Sequence, residues 1–149
     1  MWHYDGKEYN PTQEDLSDWV GFVYIITDKS NDKKYIGKKI FWSKKTLPPL
    51  KGKTRKRKKI VESDWRSYYG SSELVKSLLL EHGEGNFRRE ILHFCKSKGE
   101  MSYLEIRAQI LRNALLDDNY YNGIVNVRIH RSHVKRVKEL WKNGELNDY

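Results

Sequence analysis

Tyr24 and Tyr35 are the side chains of this sequence whose types and spacing most readily do chemistry together. The first stands in Gly21-Phe22-Val23-Tyr24-Ile25-Ile26-Thr27 and the second in Lys33-Lys34-Tyr35-Ile36-Gly37-Lys38-Lys39. The segment between them, Asp28 to Lys34, is polar and rich in turn formers, as a hairpin loop requires. Pairing Tyr24 with Tyr35 leaves a short loop from Asp28 to Asn31. Residues directly opposite in an antiparallel pair share a face, so both phenol oxygens would converge on one point. Lys38 and Lys39 follow at once. Two phenols beside lysines can hold a water against a phosphodiester. A free phenol ionises near pH ~10, so Tyr24 could accept a proton only where neighbouring cations lower that value.

The elements that must carry these side chains can be read from periodicity. Residues 1–19 are polar and aromatic, with Asn10-Pro11-Thr12 marking a turn, and read as an arm packed on the domain. The hairpin spans Val20 to Gly37. From Lys38 to Lys59 the chain holds eleven Lys or Arg and no acid, with Pro48-Pro49 and Gly52 in the middle. Proline and glycine prevent a continuous helix and the charge opposes burial, so a mobile basic loop is expected. Ser71 or Ser72 can cap a helix from Glu73 to about His82, which Gly83 and Gly85 stop. Phe87 to Phe94 reads as a strand. A second helix is expected from Ser102 to Leu116, with Leu104, Ala108, Leu111 and Leu115 on its buried face. A last basic helix, from Ser132 to Asn143, puts Val134, Val137, Leu140 and Trp141 on one side.

Composition narrows the partner. A chain of 149 residues carries one domain with a modest core. Its 29 Lys and Arg against 20 Asp and Glu leave a net charge of +9, a balance that favours a polyanion. Cys95 is the single cysteine, which leaves no disulfide framework or cysteine zinc site and fits a reducing, cytoplasmic setting. No apolar run is long enough to cross a membrane, and Met1 opens no signal-peptide pattern.

Val23-Tyr24 and Tyr35-Ile36-Gly37, two short strands ending in tyrosine motifs, resemble the GIY-YIG nuclease signature. The first motif departs from the usual form, with Gly21 one residue early and Phe22 in its place. The resemblance continues through the order hairpin, basic linker, helix, strand, helix and asparagine-bearing segment, from Val20 to Asn126. The run Trp65-Arg66-Ser67-Tyr68-Tyr69-Gly70-Ser71-Ser72, followed by a helix, glycine and Asn86-Phe87, is similar to the phage Seg-type branch, which is related to homing endonucleases. The resemblance implies a small α/β (α+β) domain with a mostly antiparallel three-stranded sheet flanked by helices. Residues 1–19 would then form the arm, 20–127 the nuclease domain with its basic insertion at 38–62, and 128–149 a basic C-terminal helix.

It also implies roles. The catalytic set would be Tyr24, Tyr35, an arginine, a helical glutamate and an asparagine. Arg66 takes the arginine's place, beside aromatics at the start of structured sequence; Arg55 and Arg57 are the alternatives. Glu105 would hold one Mg²⁺ or Mn²⁺. Ser102-Tyr103-Leu104-Glu105 reads equally as a capping box, which would explain Glu105 without a metal. Asn122 would be the asparagine, with Asn126 as alternative. Lys38, Lys39, Lys53, Arg55, Arg57, Lys58, Arg131 and Lys135 are the candidate nucleic-acid contacts. The expected activity is metal-dependent nicking or double-strand cleavage of DNA by a phage-encoded endonuclease in the host cytoplasm, as a monomer or a DNA-induced dimer. The alternative is a non-catalytic nucleic-acid-binding protein on the same scaffold. The two differ in whether Tyr24, Tyr35, Arg66 and Glu105 meet in one cleft.

Overall fold

The computed structural model describes residues 1–146. Among these described residues seven strands form, β1 (Trp2–Tyr4), β2 (Lys7–Tyr9), β3 (Gly21–Asp28), β4 (Lys33–Ile40), β5 (Trp42–Leu47), β6 (Arg57–Glu62) and β7 (Phe87–Cys95). The three helices are α1 (Glu73–His82), α2 (Lys98–Leu111) and α3 (Lys135–Lys142). Five strands make one sheet in the order β2-β1-β7-β3-β4, while β5 and β6 pair only with each other. The sheet is antiparallel except where β1 lies parallel to β7. The three strands expected from the sequence, β3, β4 and β7, are thus its centre and one edge, and the N-terminal segment adds two more. Residues expected as an arm enter the sheet because Trp2 is apolar enough to be buried and its indole N–H finds an acceptor. It donates to the Trp65 carbonyl at 2.8 Å.

Each face of the sheet carries its own core. On one, Trp2, Phe22, Tyr24, Phe41 and Trp65 pack edge-on and tilted, as in the Trp2–Phe22 and Phe41–Trp65 pairs at 5.0 and 5.1 Å. Each such aromatic pair adds about 0.5–1.5 kcal/mol beyond area burial. On the other face, Val23, Ile25 and Ile36 meet Met101, Leu104 and Ala108 of α2. The alternation along β3 sorts even from odd residues between these two cores.

Three elements differ from expectation for identifiable reasons. Helix α2 begins at Lys98, not Ser102, because Ser97 caps it by accepting from the Glu100 N–H at 3.1 Å. Gly99 in the first turn disguised that start. The helix stops at Leu111, and Asn113 takes a positive φ of 54°, so Leu111 and Leu115, expected in the core, are exposed. The basic insertion is no loop: β5 and β6 form a hairpin whose connection holds Pro48, Pro49 and Gly52. Those residues forbid a helix but suit a hairpin tip. At the C-terminus a 3₁₀ turn, Arg131–Val134, precedes α3, which buries Val137 and leaves Trp141 exposed. Among the described residues no helix is long and apolar enough to cross a membrane.

Candidate active site

Strand β4 is the edge of the sheet, and its two halves are treated differently. Along the first half, the Lys34 N–H donates to the Asn119 carbonyl at 2.8 Å and the Tyr121 N–H to the Lys34 carbonyl at 2.7 Å. The Asn122 side chain then takes over as a substitute peptide. It accepts from the Ile36 N–H at 2.9 Å and donates to the Ile36 carbonyl at 2.8 Å. Gln109 of α2 also donates to that carbonyl, at 3.4 Å. The covering segment ends there; at the far end Ser63 donates to the Ile40 carbonyl at 2.6 Å, and between them the Lys38 backbone has no outer partner among the described residues.

The hairpin register places Tyr24 opposite Gly37, and Tyr35 opposite Ile26. The expected Tyr24–Tyr35 pairing is therefore displaced by two residues, because the loop runs from Lys29 to Asp32. A shift of two preserves the face, so the phenols stay diagonal neighbours with ring centroids 6.4 Å apart. Opposite Tyr24 only glycine fits: a Cβ on Gly37 would collide with the Tyr24 hydroxyl. A register irregularity between β3 and β7 falls at Val23/Tyr24, leaving Leu92 without a partner. Such a bulge bends the strand and re-aims the side chain beside it.

The Tyr24 hydroxyl is wholly buried and has no hydrogen-bond partner among the described protein groups. It lies beneath Gly37, near Gly70, and beside Tyr35 and Tyr68. Burial raises its pKa well above 10, and the neighbouring Tyr68, Tyr35 and Glu105 add to the rise. The protein's cations do not lower it, contrary to what a tyrosine base would need, so Tyr24 is a protonated donor at neutral pH. Tyr35 is shifted the same way by burial, offset in part by a 3.2 Å hydrogen bond with the Ser71 hydroxyl.

Glu105 stands in the middle of α2, so the capping-box explanation does not hold; Ser97 and Glu100 occupy the helix start. Ser102 and Glu105, three residues apart, share a helix face. Ser102 accepts from Lys38 Nζ at 2.9 Å. Burial raises the Glu105 carboxyl above the usual carboxylate range, and the Lys38 ammonium opposes that. The Glu105 carboxylate in turn adds to the upward shift of both tyrosines. Among the described residues no group of three or more His, Cys, Asp or Glu is placed to hold a metal. One half-buried carboxylate still fits a hard divalent ion, since Mg²⁺ needs one or two carboxylates and fills its octahedron with water and phosphate oxygens.

Arg66 does not join this group. Its guanidinium donates to Glu62 at 2.7 Å, Asn10 at 3.0 Å and the Pro11 carbonyl at 2.6 Å, and it stacks on Trp65 at 4.6 Å. These contacts bind the N-terminal turn to the root of β6 and engage all three guanidinium nitrogens. Arg55 and Arg57 lie out on the β5–β6 hairpin with Lys53 and Lys58. The cations at the open edge are Lys38 and Lys39, the latter paired with Asp64 at 2.6 Å and set over the Tyr68 ring at 4.1 Å. Arg131 lies on the 3₁₀ turn, which packs on α2, Lys135 opens α3, and Asn126 is exposed in the segment before them.

Sequence reasoning missed the partners of this set. Ser71 and Ser102 read from the sequence only as helix-cap candidates and Gln109 carries no motif; the three-residue spacing of Ser102 and Glu105 was the one signal of the pair. Arg89 was also invisible. It is buried between Trp2 and Tyr69, at 4.6 and 4.0 Å, and donates to the carbonyls of Arg66 and Tyr68 at 3.0 and 2.8 Å. It thereby fixes the loop that covers Tyr24.

A family model described as "Putative endonuclease segE, GIY-YIG domain" matches residues 2–125. No curated protein and no solved structure matches the chain.

Proposed function

The chain belongs to the GIY-YIG endonuclease domains of the segE type, and on that premise we propose that it hydrolyses phosphodiester bonds of DNA with one divalent metal ion. What supports this is the closeness of Tyr24 and Tyr35, with ring centroids 6.4 Å apart, on the edge hairpin that also bears Lys38, which donates to Ser102 one helical turn before Glu105. A phage genome is the source, and the host cytoplasm the setting, that this kinship suggests.

The residues divide the work. Glu105 is the protein's ligand for Mg²⁺ or Mn²⁺, which when bound neutralises phosphate charge and stabilises the leaving oxygen. Tyr24, protonated and buried, donates a hydrogen bond that orients the attacking water or a phosphate oxygen. Tyr35 and Ser71 hold that position from the other side of the loop. Lys38 supplies the positive charge that Arg66 cannot bring, and Ser102 keeps its ammonium beside Glu105. Lysine offers a point charge where arginine would offer a planar fork, so phosphate orientation falls more heavily on the tyrosines. Asn122 positions β4 through Ile36 and touches no reacting group.

The test is cleavage of supercoiled plasmid in Mg²⁺, Mn²⁺ or EDTA beside Glu105→Gln. Metal-dependent nicking or linearisation that the substitution removes supports the enzyme. A second reading, a DNA-binding domain without catalysis, draws on the sealed Tyr24 hydroxyl and the displaced arginine. DNA retardation without cleavage under every metal would establish it.

A further inference from the structure

Among the described residues the β5–β6 hairpin pairs with no third strand, and beyond its root it is mostly exposed. Its root is firm. The Ser63 N–H donates to the Phe41 carbonyl at 2.7 Å and its hydroxyl to the Ile40 carbonyl at 2.6 Å. The Trp42 indole N–H is shared between the carbonyls of Leu16 and Trp19 at 3.2 and 3.1 Å. Beyond this root the charge arrangement is unfavourable for the free chain. Lys45 faces Lys59 across the ladder, and Arg57 faces Leu47 on the same side. Like charges directly opposite destabilise a strand pair, and an isolated two-stranded hairpin is marginal in water to begin with. No acid lies between Lys38 and Val61 to offset them.

Dimensions say what would. Six-residue strands give a ribbon about 20 Å long whose two backbones lie ~4.8 Å apart. The major groove of B-DNA is about 12 Å wide and ~8.5 Å deep and admits a two-stranded ribbon. Its floor presents guanine N7 and O6 as acceptors, and its walls are phosphates. The deep, narrow major groove of duplex RNA excludes such an element.

We propose that the β5–β6 ribbon enters the major groove of duplex DNA with its Lys45, Arg57 and Lys59 face toward the bases. The ribbon is then the chain's own DNA-gripping element, rooted through Phe41 to the strand that bears Lys38. This rests on the DNA substrate proposed above.

Dimethyl sulfate separates the grooves, since it methylates guanine N7 in the major groove and adenine N3 in the minor. The full chain is saturated with a short duplex in EDTA, so that the DNA stays whole. The expected result is protection of guanine N7 with adenine N3 left reactive. The triple variant Lys45→Gln, Arg57→Gln, Lys59→Gln should lose that protection. Its affinity for the duplex should fall by about tenfold or more for each lost base contact. A duplex RNA of equal length should compete poorly. Circular dichroism matching the parent's shows that the variant is folded. DNA retained with N7 open, or N7 protection unchanged in the variant, overturns the ribbon's role alone. No retention of DNA by the parent overturns the DNA reading and the ribbon with it. Equal competition by duplex RNA overturns the major-groove assignment.

Discussion

Replacing Tyr24 by Phe should make the protein more stable and less active. The hydroxyl is buried, has no protein partner and sits under two glycines. An unsatisfied buried polar group costs about 1–3 kcal/mol. Phenylalanine removes that cost and leaves a void of one oxygen atom, so a net gain of roughly 1 kcal/mol is expected, taking the lower end of that range. For a chain of this length about 1 kcal/mol corresponds to a rise of ~2–4 °C in Tm. Cleavage should fall by about 10²-fold or more, the scale on which positioned proton donors act. Tyr35→Phe provides the opposite sign of stability. It breaks the hydrogen bond with Ser71 and should lower stability by about 0.5–1 kcal/mol. Scanning calorimetry and plasmid nicking on the same preparations decide the matter. A Tyr24→Phe protein that cleaves within a few fold of the parent makes the phenol a packing residue. One that melts lower shows that the hydroxyl is satisfied in solution and that its burial carries no stored penalty.

Other perturbations separate fold from chemistry. Arg66→Ala should cost about 1–2 kcal/mol through its lost hydrogen bonds and exposed ion pair, yet leave the cleavage rate of the folded protein unchanged; a rate loss at full folding would return Arg66 to the active site. Gly37→Ala should cost about 1–3 kcal/mol by overpacking against Tyr24 and suppress cleavage, and a crystal structure with Tyr24 unmoved would contradict it. Asp28 supplies a pH signature. Burial would raise its carboxyl, but hydrogen bonds from Ser30, Tyr121 and Asn86 outweigh this and hold it at about 2, down from 3.8. A depressed folded-state pKa contributes stability above the unfolded value that is lost as pH falls from about 4 to 2. That contribution is about 2 kcal/mol, and Asp28→Asn should flatten this limb of the acid-unfolding curve.

The legible parts of this fold were those set by local pattern. Ser72 capping α1, Gly83 ending it, and the apolar strand Phe87–Cys95 all follow from rules that act within a few residues. The N-terminal strands were not legible, because β1 depends on β7 more than eighty positions away. The ribbon was hidden by its charge, which marks disorder when averaged over a window. The paired residues that form it, Trp42 with Glu62 and Ser43 with Val61, are separated by the proline-containing loop. Within the candidate site, Tyr24, Tyr35 and Glu105 could be named from spacing and family resemblance. Arg66 misled because a cation flanked by aromatics suits a folded clamp as well as a phosphate site, and sequence does not reveal which carbonyls lie within reach.

An edge strand is a hazard, since its free N–H and C=O groups invite pairing with another chain. Here the hazard is managed at Ile40, whose carbonyl accepts from Ser63, and along the first half of β4 as far as Ile36. Tyr121 and the Asn122 amide satisfy β4 up to that residue, and beyond it Lys38 and Lys39 charge the edge. Gly37 stands at the junction, where a side chain would close the approach to Tyr24. Closing the rest of the edge with a continuous strand would remove the hazard, but would also bury Lys38, the cation that acts on Glu105. The strand can serve catalysis only if it stays unpaired where the phosphate must pass. The same cations that deter a second protein chain attract a polyanion, so protection of the edge and recognition of DNA require the same residues.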